Sequence, residues 1–171
     1  MKGTETMKNN KIALIPGSFD PPTNGHFELI KTASERFDKV YVTLFKNTAK
    51  SCMFSASQRV LMLRAMCEGL ENVVVDTSDE FLADYTRRLG IGTVVKGVRN
   101  TVDFEYEYAQ ATANADMDPG LSTIFIPAKP NDVYLSSTFI RMMIDFGRDI
   151  GTYVPESVKK IISDIKNNRG R

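Results

Sequence analysis

The stretch Pro16–His26 combines residue types that suit phosphate binding. It reads PGSFDPPTNGH and contains two glycines, three prolines and the only histidine of the chain. Glycines let the backbone approach a ligand closely, and prolines restrict a loop without requiring amide hydrogens. Because this stretch opens the first predicted helix, its free N–H groups and the positive end of the helix dipole favour an anion, most readily phosphate. The stretch has neither the G-x-G-x-x-G nor the P-loop pattern, so it lacks the signatures of those nucleotide sites.

Two later segments carry hydroxyl and cationic side chains. Ser136–Arg141 (SSTFIR) places three hydroxyls at a predicted helix start, and Lys96–Glu107 opens with two cations around Gly97. Each segment also has a structural explanation, as an N-cap or as a solvated helix face, and a lone histidine such as His26 often only caps or packs. The functional interpretation therefore depends on the three segments meeting at one site.

Short β-branched runs alternate with stretches of helical periodicity along the chain. This alternation predicts an α/β fold, a single-domain Rossmann-like doubly wound sheet of about five parallel strands with helices on both faces. The strands are predicted at Ile12–Pro16, Val40–Phe45, Val73–Asp76, Thr93–Lys96 and Thr123–Ile126, each buried on both faces. In such sheets ligands bind beyond the carboxyl ends of the strands, where the first loop and Lys96 are expected.

Local signals also predict where helices begin and which faces they bury. Ser55 and Gln58 form a capping box, the polar stretch 77–79 offers cap candidates for a third helix, and a last helix follows Pro155. Apolar stripes at helical spacing are predicted at Phe27, Ile30, Ala33 and Phe37, at Phe104, Tyr108, Ala111 and Ala115, and at Val158, Ile161, Ile162 and Ile165. We expect residues 1–10 to be a flexible extension and residues 11–171 to form one domain.

Composition narrows the class of protein. The chain has 171 residues, 42% of them hydrophobic, and a net charge of +1 from 22 basic and 21 acidic residues. A near-neutral chain disfavours a dedicated nucleic-acid binder, and the basic tail is explained as a solvated helix end. No apolar run approaches the roughly 20 residues that span a bilayer, so no membrane partner is expected. Two cysteines are too few for a disulfide scaffold, which favours a cytoplasmic protein with ordinary thiols.

The chemistry-bearing segments resemble motifs of a known enzyme family. Thr23–His26 (TNGH) resembles the [HT]-x-G-H motif of nucleotidyltransferases, and PGSFDP before it resembles their adenylyltransferase branch. Leu135–Arg141 resembles I-S-S-T-x-I-R, with Leu135 in place of the first isoleucine. Lys96–Glu107 resembles the [RK]-G-x-R-x-x-x-D-F-E-Y-E signature of phosphopantetheine adenylyltransferase, the most discriminating match, and Lys50–Phe54 resembles its K-K-P-[ML]-F element. The resemblance extends from about Ile12 to Pro155.

This resemblance implies transfer of the adenylyl group of ATP to 4'-phosphopantetheine, giving dephospho-coenzyme A and pyrophosphate. It implies in-line attack without a covalent enzyme intermediate, Mg²⁺ accompanying ATP, and a homo-oligomer, commonly a hexamer. By resemblance, His26 and Lys50 are the catalytic residues. The ATP site would comprise Ser18, Phe19, His26, Gly97, Val98, Arg99, Glu107, Asp132, Val133, Tyr134, Leu135, Ser136, Ser137 and Thr138. The acceptor site would comprise Ser18, Lys50, Leu82, Lys96 and Asn114, and no residue is assigned to a metal.

Besides Leu135, three positions depart from the patterns of the family. Ser51 and Cys52 replace the second lysine and the proline, and Lys96 stands where arginine is common. Lysine keeps the charge but loses the planar fork of arginine. Two alternatives stay open: adenylylation of nicotinate or nicotinamide mononucleotide, and a nucleotide sensor without turnover.

Overall fold

A five-stranded parallel sheet forms the centre of the molecule in a computed structural model, which describes residues 11–45 and 51–169. The strands are β1 (Ile12–Gly17), β2 (Lys39–Phe45), β3 (Val73–Ser78), β4 (Thr93–Val98) and β5 (Ser122–Pro127), in the spatial order β3-β2-β1-β4-β5. The helices are α1 (Asn24–Ser34), α2 (Ala56–Met66), α3 (Leu82–Leu89), α4 (Thr101–Met117), α5 (Ser137–Asp145) and α6 (Glu156–Arg169), with a 3₁₀ turn at Pro130–Asp132. All five predicted strands are confirmed, with ends shifted by at most two residues.

Helices cover both faces of the sheet, as predicted. Alternate residues of β1 point to opposite faces, so Ala13 and Ile15 join one apolar cluster while Leu14 joins another. The larger cluster includes Ile30 of α1, Leu63 of α2, Ile140 of α5 and Val158 of α6. The smaller cluster packs Tyr85 of α3 against Leu14 and Val94. The doubly wound α/β architecture therefore follows from the crossover helices of the parallel strands.

The predictions of helix starts were partly right. Ser55 and Gln58 make the reciprocal hydrogen bonds of a capping box at the start of α2. The cap predicted within residues 77–79 was wrong, because Thr77 and Ser78 continue β3 and pair with the end of β2. The N-cap of α3 is instead Phe81, which makes no side-chain cap hydrogen bond.

Burial of β3, of β5 and of the α4 stripe was predicted incorrectly. β3 lies at one edge of the sheet, and none of its residues is buried. β5 is an edge strand, and its Ile124 is 45% exposed. None of the residues of α4 is buried, and Phe104 and Tyr108 stack on each other at the surface. The helix packs against β4, β5 and α3, and its side chains Val102, Phe104, Tyr106 and Tyr108 stay exposed.

Two further expectations concern the cysteines and the membrane. Cys52 and Cys67 are both free thiols. Within residues 11–45 and 51–169, no helix combines the length and apolar character needed to cross a bilayer.

A crevice opens in the sheet between β1 and β4. These strands are in register over only two residue pairs, Ala13 with Thr93 and Leu14 with Val94, whereas β1 and β2 pair over six. Beyond Leu14 the two strands no longer form a continuous ladder, although both run on to Gly17 and Val98. Because β1 and β4 lie where the chain reverses its direction across the sheet, this is the expected place for a ligand.

Candidate active site

A cavity of about 680 Å³ lies at the carboxyl ends of β1, β4 and β5. Its walls come from all three segments singled out in the sequence: the loop after β1, the end of β4 and the start of α5. The residues proposed for the site that line this cavity are Ser18, Phe19, His26, Lys96, Gly97, Arg99, Asp132, Leu135, Ser136, Ser137 and Thr138. The expectation that these segments face one cleft is therefore met.

The other candidate residues lie outside the lining of this cavity. They are Val98, Glu107, Val133, Tyr134, Leu82 and Asn114, and Lys50 lies outside the described residues. Glu107 contacts the cavity wall only through Lys96, whose Nζ atom lies 2.9 Å from a carboxylate oxygen of Glu107. Leu82 packs beside the smaller core, and Asn114 is on α4.

The loop after β1 folds tightly back on itself. Phe19 has a φ of 45°, a left-handed conformation that costs a non-glycine residue on the order of 1–3 kcal/mol, and its side chain is almost fully buried. The ring then lies over Gly17, where an added Cβ would come within 2.9 Å of it. Glycine is required at position 17 for this close approach. The same ring packs edge-to-face on the imidazole of His26, with the ring centroids 5.1 Å apart.

The start of α1 fixes the orientation of His26. Thr23 is the N-cap, and His26 is the third residue of the helix. The backbone N–H of Thr23 donates to Nδ1 of His26 at 3.0 Å, and the Thr23 hydroxyl lies 3.0 Å from the same nitrogen. Because Nδ1 accepts this hydrogen bond, the neutral imidazole carries its proton on Nε2. His26 thus replaces the glutamate or glutamine of an ordinary capping box and keeps an N–H available for a ligand.

The surroundings of His26 disfavour its protonation. Burial first, and then the positive charge of Arg99, lower its pKa from 6.5 to about 4. The imidazole is therefore neutral at pH 7. A neutral imidazole held in one tautomer suits donation of a hydrogen bond to an anionic oxygen.

We expect the single histidine to titrate near pH 4 in the folded protein. Its pKa in the unfolded chain is close to 6.5. Between these values the unfolded state binds more protons, so this group reduces folding stability as the pH falls from 6.5 towards 4. An NMR titration of the imidazole C–H resonances, which belong to one residue only, measures the midpoint. A midpoint near 6.5 in the folded protein would contradict the effect of burial and of Arg99 on this pKa.

Hydrogen bonds join the three segments directly. Arg99 donates to the carbonyl oxygen of Leu135 at 3.2 Å, which links β4 to the segment before α5. The guanidinium of Arg141 donates to the carbonyl oxygen of Asp20 at 2.6 Å, and the hydroxyl of Ser137 donates to that of Pro21 at 2.8 Å. These contacts connect α5 to the loop after β1, so the cleft is held together by its own functional segments.

Each cation of the cavity wall has a carboxylate partner. Arg99 forms a two-point pair with Asp103, with N–O distances of 2.6 and 3.1 Å. The other pairs are Lys96 with Glu107, Lys129 with Glu28, and Arg141 with Asp20, where the closest approach to the carboxylate is 3.5 Å. The carboxylates orient the cations and offset their charge until a polyanion binds.

The start of α5 adds hydrogen-bond donors. The hydroxyl of Ser136 caps the helix by accepting the N–H of Phe139, and Thr138 accepts a hydrogen bond from Arg141. The first N–H groups of a helix have no acceptor within the helix, and they carry the positive end of its dipole. Ser136 and its two neighbours line the cavity, which makes this helix start a suitable phosphate contact.

Several contributors to the site were not predicted from the sequence. Asp20, Thr23, Glu28 and Lys129 line the cavity but received no role. The spacing of Thr23 and His26 matches a capping box and could have indicated their contact. Glu28 and Lys129 are 101 residues apart, and no sequence pattern links them.

The cavity does not resemble a metal centre built from protein ligands. Among the described residues no three His, Cys, Asp or Glu side chains are grouped so that they could hold an ion. Mg²⁺ in nucleotide sites commonly needs only one or two carboxylates, because substrate phosphates and water supply the rest. Asp132 lies in the cavity wall and fits such a limited role.

Comparison with known proteins agrees with the motifs. A cytidylyltransferase-like family model matches residues 14–143. A phosphopantetheine adenylyltransferase of Streptococcus suis is 42% identical over 155 residues, 90% of this chain and 96% of the relative. One from Lactobacillus johnsonii is 39% identical over 92% of this chain and 95% of the relative. A solved Vibrio parahaemolyticus structure, described as a candidate nicotinate-nucleotide adenylyltransferase, shares the fold with a TM-score of 0.66 and 24% identity, over 91% of this chain and 93% of that one. The identity across nearly the whole of the curated relatives shows that this chain belongs to the phosphopantetheine adenylyltransferase family.

Proposed function

We propose that this protein transfers the adenylyl group of ATP to 4'-phosphopantetheine and releases pyrophosphate, forming dephospho-coenzyme A in coenzyme A biosynthesis. The observation that carries this proposal is the meeting of His26, Arg99 and the start of α5 in one cavity. The family of the chain supports the choice of acceptor, through relatives about 40% identical over most of its length.

The reaction requires correct placement of the two substrates and neutralisation of phosphate charge, and it does not require a protein nucleophile. The acceptor phosphate is itself nucleophilic, so it can attack the α-phosphorus of ATP in line, without a covalent enzyme intermediate. The enzyme would gain rate by holding both substrates in reacting geometry and by neutralising the charge that develops. His26 would donate from Nε2 to an α-phosphate oxygen, while Arg99, Arg141 and the N–H groups of α5 would hold the remaining phosphates.

The residues divide into a nucleotide side and an acceptor side. We assign ATP to the region around His26, Gly97, Arg99 and residues 132–138, all of which reach the cavity wall except Val133 and Tyr134. We assign the acceptor phosphate to Ser18, Lys50 and Lys96. Leu82 and Asn114 lie outside the cavity, so their contacts would be with the pantetheine arm.

Mg²⁺ is proposed to enter with ATP, bound chiefly by the phosphates, where it would neutralise part of their charge. Four carboxylates line the cavity: Asp20, Glu28, Asp103 and Asp132. The first three pair with cations among the described residues, which leaves Asp132 to assist the ion. We propose no other metal and no separate cofactor.

We also propose that the protein is a cytoplasmic homo-oligomer, with the hexamer that the family resemblance implies. The uncovered apolar side chains of α4 support a protein interface: Val102, Phe104, Tyr106 and Tyr108 are all exposed. No nucleic-acid or membrane partner is proposed.

The function is tested by mass spectrometry of the product. With ATP and 4'-phosphopantetheine we expect dephospho-coenzyme A and an equal amount of pyrophosphate. Parallel reactions with nicotinate mononucleotide and nicotinamide mononucleotide give the matched comparison. A clear preference for either mononucleotide would replace the proposed acceptor, and tight ATP binding without any product would favour a nucleotide sensor.

A further inference from the structure

A buried carboxylate joins two segments of the cavity that are distant in sequence. Asp20 is only 2% exposed. Its Oδ2 atom accepts the backbone N–H of Met53 at 2.8 Å, and its Oδ1 atom accepts that of Phe54 at 2.9 Å. Both oxygens therefore serve as acceptors for the segment that leads into α2.

Arg59 of α2 also links the loop after β1 to the segment that leads into α2. Its Nη1 atom donates to the carbonyl oxygen of Ser18 at 2.7 Å, and its Nε atom donates to that of Phe54 at 3.1 Å. The N–H and the C=O of Phe54 are thus both bonded to this bracket, which consists of Asp20 and Arg59. Phe54 is itself buried in the larger core, so packing fixes the residue to which both side chains bond.

The bracket bears on both halves of the cavity. Ser18, Ser51 and Cys52 line its wall, and their separation depends on how residues 51–54 dock on the loop after β1. Asp20 also contacts the nucleotide side of the cavity. Its carbonyl oxygen accepts a hydrogen bond from Arg141, which donates a second hydrogen bond to the hydroxyl of Thr138.

We propose that Asp20 is a positioning residue, whose carboxylate sets the spacing between the acceptor-phosphate side of the cavity and its nucleotide side. The inference rests on the proposed function. A carboxylate suits this role because two N–H groups converge on its two oxygens. Asparagine offers one acceptor oxygen and would turn an NH₂ group towards the second N–H.

Steady-state kinetics of Asp20→Asn test the proposal. We expect the KM for the acceptor to rise by about tenfold or more and kcat to fall, because residues 51–54 lose their docking point. The Kd of ATP, measured by calorimetry, is expected to stay within about threefold. Arg141 loses only its 3.5 Å approach to the Asp20 carboxylate and keeps its hydrogen bonds to the Asp20 carbonyl oxygen and to Thr138.

Two further variants separate positioning from mere stability. Asn72→Ala removes a side chain that also makes two hydrogen bonds to backbone, with the carbonyl oxygens of Ser34 and Phe37, at the other end of the sheet. We expect it to lower the melting temperature without changing either kinetic constant. Arg59→Ala, which removes the other half of the bracket, is expected to reproduce the raised acceptor KM, and it serves as the test if Asp20→Asn does not fold.

The outcomes distinguish this proposal from the proposed function. The acceptor that wild-type protein prefers tests the function, whereas the variants are compared with wild type on that preferred acceptor. A folded Asp20→Asn or Arg59→Ala protein with an unchanged acceptor KM would overturn the positioning role. So would equal losses of ATP and acceptor affinity, and a wild-type protein inactive with every acceptor would overturn both proposals.

Discussion

Replacing His26 with alanine is expected to lower kcat by about 10²–10³-fold while the protein stays folded. Loss of one preorganised donor to a developing oxyanion typically costs about 3–4 kcal/mol of transition-state stabilisation. The imidazole is oriented for this role by the N–H of Thr23 and by the ring of Phe19. Because the interaction strengthens in the transition state, the Kd of ATP should change much less than kcat.

His26→Gln provides the matched comparison. Its side-chain amide can present an N–H close to the position of Nε2, so we expect it to retain more turnover than His26→Ala. Initial rates of pyrophosphate release measure both variants, and circular dichroism controls for folding. Normal turnover of His26→Ala would remove His26 from the active site.

Replacing Arg99 with alanine is expected to weaken ATP binding by about 10–100-fold. A hydrogen bond to a charged group contributes about 1.5–3 kcal/mol, and each 1.4 kcal/mol is a factor of ten in affinity. The substitution also leaves the carboxylate of Asp103 without its two-point partner beside the nucleotide phosphates. Calorimetric titration with ATP and Mg²⁺ measures the loss.

Arg87→Ala is a close structural control for this substitution. Like Arg99, Arg87 pairs with an aspartate close by in the sequence, Asp84, and donates to a distant carbonyl oxygen, that of Met117. It does not line the cavity. We expect Arg87→Ala to leave ATP affinity unchanged, and an equal loss in both variants would mean that Arg99 acts only through the fold.

Local sequence signals predicted much of the fold because they act over short distances. The strand runs and the capping box of Ser55 and Gln58 each depend on neighbouring residues, and they appear as expected. The errors arose where tertiary pairing decides the structure. Thr77 and Ser78 have the composition of a helix cap but find partners in β2, and the periodic stripe of α4 packs at the edge of the sheet without becoming buried.

The candidate site was predicted as segments rather than as contacts. The chemistry of Gly17–His26, Lys96–Arg99 and Ser136–Thr138 follows from residue type, and these stretches do reach one cavity. The sequence could not indicate that Asp20 bonds to Met53 and Phe54, more than 30 residues away. Nor could it indicate that His26 accepts a hydrogen bond at Nδ1, because this depends on the backbone of Thr23.

A crystal structure with a non-hydrolysable ATP analogue would examine the shared triphosphate site most directly. We expect an α-phosphate oxygen within hydrogen-bond distance of Nε2 of His26, with the other phosphates against Arg99 and the first N–H groups of α5. A triphosphate bound elsewhere, for example in the neighbouring cavity lined by Arg59 and Thr77, with no contact to His26, would contradict the account.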